Sequence, residues 1–161
     1  MNTLRWILVA LALLVLLVWL AGRLGALRGH SPADLGVREG RLKPPSGTPN
    51  SVSSQADLYP EHPMREFARI AALPASGGAS ASIARVRAVV ERLAGATVVE
   101  QRDDYLYAQF ETPAMRFVDD VEFWYDPAAQ AIAVRSASRI GRKDFGVNRA
   151  RVETIRAQLL H

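Results

Sequence analysis

Residues 6–22, WILVALALLVLLVWLAG, carry no charge, and no other feature limits so strongly what this chain can become. Seventeen helical residues span about 25 Å, the short end of what crosses a bilayer. Trp6 and Trp19 lie near the two ends, where amphipathic rings favour the lipid–water boundary. A signal peptide has a similar apolar stretch, but its cleavage site needs small residues. The best candidate, Leu24-Gly25-Ala26, begins with a leucine that fits poorly. The expectation is therefore an uncleaved anchor over residues 1–22, with the bilayer as partner through residues 6–22. Arg5 stands on the N-side, and Arg23, Arg28, Arg38 and Arg41 on the C-side, so the positive-inside rule does not favour sending the rest of the chain outward.

The remaining length suffices for one modest domain. With no cysteine in 161 residues, disulfides, thiolate nucleophiles and lipid-modified cysteines are excluded. The formal net charge is +4, yet residues 135–156 hold seven cations, Arg135, Arg139, Arg142, Lys143, Arg149, Arg151 and Arg156, against Asp144 and Glu153. Basicity this concentrated suits an anionic partner such as phospholipid, polyanion or nucleotide phosphate.

Six of the nine prolines fall within residues 23–63. Such a composition disfavours helices and central strands, so residues 23–79 read as a linker and extended strap. Regular structure is expected from about Ser80, in an α+β core over residues 80–161. In SASIARVRAVVERLAG, Ile83, Val86, Val90 and Leu93 recur at helical spacing, with Ser80 or Ser82 as N-cap and Gly95 as the stop. TVVEQR, YLYAQFET, MRFVDDVEFWY and AIAVRSAS follow as strand-like runs between turn residues. A final helix over about Val147–Leu160 places Val152, Ile155 and Leu159 on one face. The expected architecture is an antiparallel four-stranded meander with both helices packed on one face.

Strand parity sorts the charges. Phe117, Val121 and Phe123 share the helix-facing side, which turns Asp120, Glu122 and Trp124 the other way. Ile132 and Val134 face in, so Arg135, Ala137 and Arg139 face out. A four-residue loop, Pro127 to Gln130, sets Glu122 opposite Arg135 and leaves Asp120 diagonal to Arg135 and Arg139. Asp119 points inward beside Ser136 and Ser138 and needs a cation or donors, available from Asn148, Arg149 or Arg151. Asp119, Asp120, Glu122, Arg135 and Arg139 thus form a structural ion-pair network.

GVREGRLKPPSGTPNSVSSQA, FVDDVEF and VRSASRIGRKDFGVNRARVETIR together resemble the domain of unknown function 1499 family, found in bacterial envelope proteins and plastids. The resemblance covers about residues 35–160, with three blocks in order. It implies the layout but no catalytic residue, because no activity is assigned to the family. Relatives often carry cysteines where this chain has Ser46 and Ser51. Their joint absence is what loss of a disulfide would leave, and a disulfide in relatives implies an oxidising compartment. That places the expected domain on the periplasmic side of a bacterial inner membrane.

No catalytic motif is legible. Asp119 and Asp120 point to opposite faces and do not chelate one ion without a bulge, and His30, His62 and His161 are distant in sequence. No metal or cofactor is therefore expected. Ser136 and Ser138 stand beside arginines with no base. Gly141 and Gly146 flank Arg142, Lys143 and Asp144 before a helix start, a form that can hold an anion with Arg142, Lys143, Asn148 and Arg149. Equally, the glycines can make the turn and Asp144 can cap the helix. Trp124, Tyr105 and Tyr107 are either the floor under a covering strap or a ligand platform. The expected function is non-catalytic binding of an anionic lipid headgroup, a polyanion or an envelope protein. The alternative is a hydrolase-type enzyme using Asp120 or Glu122. An anchor and export argue against nucleic acid.

Overall fold

In a computed structural model the chain is described over residues 2–160. The apolar run forms helix α1, Asn2–Arg23. It is long and apolar enough to cross a membrane, a property it shares with signal sequences. Residues 2–20 are exposed throughout, so α1 projects clear of the rest, and only at Gly22 does it become buried.

The remaining chain builds one antiparallel sheet with both faces covered. Strands β3 (Ala96–Gln101), β4 (Tyr105–Glu111), β5 (Val118–Asp126) and β6 (Ala131–Ser138) pair in chain order. The sheet has six strands rather than four, because β1 (Ser51–Ser53) and β2 (Leu73–Pro74) both pair with β6. Regular structure therefore begins well before Ser80. The segment expected to be only linker and strap also holds a 3-10 turn at Ala56–Leu58 and the short helix α2, Arg65–Ala68. Proline is compatible with β2 because Pro74 ends a two-residue strand.

Helices α3 (Gly78–Val90) and α4 (Val147–Leu159) cover one face. Ile83, Val86 and Val90 from α3 meet Val152, Ile155 and Leu159 from α4 over Leu106, Val121, Phe123 and Val134. Neither expected serine caps α3. Its N-cap is Gly77, and the buried Ser82 hydroxyl instead donates to the Ser76 carbonyl (3.1 Å) and accepts from the Ser76 amide (2.9 Å). After α3 the chain turns through Gly95 at φ +76°, where an added Cβ would stand 2.3 Å from the Glu111 carbonyl oxygen. Only glycine fits there.

The opposite face carries Tyr105, Tyr107, Trp124 and Ala133, over which Leu42, Leu35 and Val37 pack. One inward residue is corrected. Arg116 adopts φ +57°, so the chain enters β5 only at Val118, and Phe117 is exposed in the turn rather than packed beneath the helices.

Candidate functional site

The β5–β6 register runs Asp126↔Ala131 to Asp119↔Ser138, with Glu122 opposite Arg135 and Asp120 opposite Ala137. On the face away from the helices, Arg139 grips Asp120 with two nitrogens, Nη2 to Oδ1 at 2.7 Å and Nε to Oδ2 at 2.9 Å. A two-pronged fit of this kind is the strong form of a guanidinium–carboxylate pair. The Tyr107 hydroxyl donates to the same carboxylate, and burial with this bond holds its pKa above the ordinary phenol value. Arg139 also donates to Ser31 Oγ at 3.0 Å, drawing residues preceding the sheet onto this face.

Glu122 is 0% exposed. Its Oε1 accepts the Gly36 amide at 2.7 Å and the Tyr105 hydroxyl at 2.9 Å. Its Oε2 accepts no hydrogen bond, and Arg135 Nη1 stands 3.7 Å away. Arg135 directs Nε to the Pro44 carbonyl at 3.0 Å. Burial pushes the Glu122 carboxyl above its ordinary range, although the Gly36 N–H and the Arg135 charge act against the shift. Burial likewise lowers the Arg135 pKa.

Asp119 lies on the helix face and takes its cation from α4: Arg151 Nη2 donates to Oδ2 at 2.6 Å. Arg151 Nη1 reaches Ser136 Oγ and Asn148 Oδ1. Asn148 Nδ2 donates to the Asn50 carbonyl at 3.0 Å and to Ser138 Oγ at 3.1 Å. Asp119, Ser136, Ser138, Asn148 and Arg151 thus bond one another and the Asn50 carbonyl, while Asn50 Oδ1 stays without a hydrogen-bond partner.

The four anion-binding candidates do not converge. Asn148 is fully buried and its side chain is spent on that network. Arg149 donates to the carbonyls of Phe67 (2.7 Å) and Arg69 (2.9 Å) and so fastens α4 to the end of α2. Asp144 occupies the start of α4, accepting the Gly146 amide at 3.1 Å and the Asn148 amide at 2.9 Å. The helix terminus already has its own carboxylate. Arg142 and Lys143 remain exposed, with no ion-pair partner among the described residues. Lys143 lines a groove of about 280 Å³ together with Pro49, Val52, Phe67, Asp144, Phe145, Gly146 and Arg149.

Sequence reasoning passed over Phe145, 95% exposed at φ +53°. Its one signal is an aromatic residue inside a polar loop, away from any apolar periodicity. Also missed were Ser31, Gly36 and Pro44, whose partners lie 86 or more residues away. Among the described residues no group of three His, Asp or Glu side chains is arranged to hold a metal ion, and His161 lies outside them.

The family described as protein of unknown function (DUF1499) matches residues 41–159. The chain belongs to this family. The matched range takes in the six-stranded sheet, α3 and α4 up to Leu159, with the whole Asp119–Glu122 and Arg135–Arg151 network. Helix α1 and the residues contributing Ser31 and Gly36 to the outer face precede it. No curated protein and no solved structure is significantly similar to the chain.

Proposed function

We propose that this DUF1499 member is a single-pass protein of a bacterial inner membrane whose domain lies on the periplasmic side and binds an anionic partner without transforming it. One observation carries this reading. Asp119, Asp120 and Glu122 are buried and engaged within the fold, whereas Arg142 and Lys143 stand exposed and Lys143 lines a largely apolar groove. An unpaired pair of cations next to apolar walls suits a ligand with a charged group and a greasy part.

The competing hydrolase reading requires Asp120 or Glu122 to meet a substrate. Asp120 is already held by Arg139 and Tyr107, and Glu122 is sealed beneath Gly36. Residues of the outer face therefore serve as the floor beneath Leu35, Val37 and Leu42 rather than as an open platform.

Native mass spectrometry of the full chain, extracted in a mild detergent, tests the reading. The expected spectrum carries an anionic adduct that Arg142→Ala/Lys143→Ala loses while the melting temperature stays unchanged. A chain with no anionic adduct, or an adduct equally retained by the double variant, overturns it.

A further inference from the structure

Four features meet at one end of the sheet. The pairs Glu111↔Val118 and Asp119↔Ser138 place the β4–β5 turn and the exit of β6 at the same end. Helix α1 leaves from there. A Cβ on Gly22 would stand 2.9 Å from the Met115 carbonyl oxygen, and Arg116 Nη1 donates to the Arg23 carbonyl at 3.0 Å. The loop over residues 139–146 starts beside this junction, since the Arg139 amide donates to the Val118 carbonyl at 3.1 Å. Neighbouring strands lie only about 5 Å apart, so the exit of α1 and this loop belong to one rim of the domain.

That rim is apolar and basic together. Leu24 is 86% exposed and Phe145 95% exposed, with Phe117 and Val147 also exposed. Arg142 and Lys143, in the same loop as Phe145, are exposed without ion-pair partners among the described residues. The loop is fixed in shape: Asp144 accepts the Gly146 and Asn148 amides, and Phe145 projects from a left-handed backbone. A ring held outward from a left-handed backbone, with no core contact to gain, suits contact with an external apolar surface.

We infer that the 141–147 loop docks on the surface of the bilayer that holds α1, with Phe145 inserted at the headgroup boundary and Arg142 and Lys143 against anionic lipid. This rests on the reading of α1 as an anchor and names the partner of the proposed anion site. The occupant follows from position. With residues 2–20 projecting free, the bilayer surface falls near Gly22, where the rim begins. Apolar insertion and cation attraction act together at such a boundary, and neither requires a dedicated headgroup pocket.

The chain has no cysteine, so single labels are straightforward. The full chain carrying an environment-sensitive fluorophore at Phe145→Cys is reconstituted in vesicles containing lipid-borne quenchers. A second label at Val147→Cys keeps Phe145 in place, and Ala129→Cys, in the β5–β6 turn at the other end of the sheet, is the reference. With about 30% phosphatidylglycerol, labels at 145 and 147 are quenched and that at 129 is not. Pure phosphatidylcholine gives less quenching. Arg142→Ala/Lys143→Ala lowers the docked-to-free ratio at 147 about 25-fold, near fivefold for each surface cation. Quenching at 145 and 147 no greater than at 129 overturns docking. So does equal quenching in both lipids. Washing the vesicles with alkaline carbonate tests the anchor separately. Release of the chain refutes the spanning helix, whereas retention with unquenched labels refutes only the docked loop.

Discussion

At the scale of single residues, Glu122 is a buried carboxyl whose ionisation the fold opposes. Burial raises its folded-state pKa above the ordinary 4.5, while the unfolded chain keeps the ordinary value. Between 4.5 and the raised value the folded chain holds a proton that the unfolded chain has released. The stability contributed by this group is therefore greatest below 4.5 and declines as pH rises through that window. Each unit of upward shift corresponds to about 1.4 kcal/mol. Glu122→Gln keeps an oxygen for Gly36 and Tyr105 but does not titrate. The unfolding free energy of the native chain relative to this variant is expected to fall from about pH 4 to about pH 7 in denaturant titrations. A rise would mean that attraction to Arg135 outweighs burial. The register behind this pairing is legible in the sequence, because alternation fixes the face and the four residues 127–130 fix the offset. What covers the pair is not legible. Gly36 and Pro44 approach as backbone groups, and a backbone N–H or C=O leaves no mark of its destination in the residue type.

Among the elements, β1 matters more than its length suggests. Its three residues are all buried and pair with Ala137, Ser136 and Arg135. Asn148 ties it to α4 by donating to the Asn50 carbonyl while bonding Ser138 and accepting from Arg151. Asn148→Ala leaves these partners buried without it, and is expected to cost about 3 kcal/mol, read as a lower denaturant midpoint with unchanged slope. A loss well under 1 kcal/mol would mean that the remaining network closes without it. The helices and the four longer strands are legible because their apolar residues repeat at spacings of 3.6 and 2, which α3, α4, β4, β5 and β6 use to build the core. β1 and β2 escape for a physical reason. Runs of three and two residues are too short to show a period, and the prolines around them suggest extended chain, which a short edge strand also is. The candidate anion site is legible only as a composition. Whether its cations are free depended on α2 receiving Arg149 and on Asp144 filling the start of α4.

For the whole molecule, the proposed anchor poses the question of which side of the membrane the domain would occupy, and two cues oppose each other. Arg23 at the end of α1 and Arg28 just beyond it argue for the cytoplasm, whereas the family resemblance, which implies cysteines in relatives at the Ser46 and Ser51 positions, argues for an oxidising compartment. The fold brings those two positions together. The Ser46 amide donates to Ser51 Oγ at 2.8 Å, and Ser51 anchors the first strand against Ala137. Ser46→Cys/Ser51→Cys therefore turns the fold into a reporter of its own compartment. Oxidising the purified double variant is expected to join the two thiols and, by closing a short loop, to raise stability by about 2 kcal/mol. In growing cells the same bond forms only where thiols are not kept reduced. Thiol blocking at the moment of lysis, followed by labelling after reduction, is expected to find the pair oxidised. A pair that oxidises after purification yet is wholly blocked in cells would place the domain in the cytoplasm. Arg23 and Arg28 would then be its orienting signal. The docked rim would face the inner leaflet, with its cations still matched to anionic lipid.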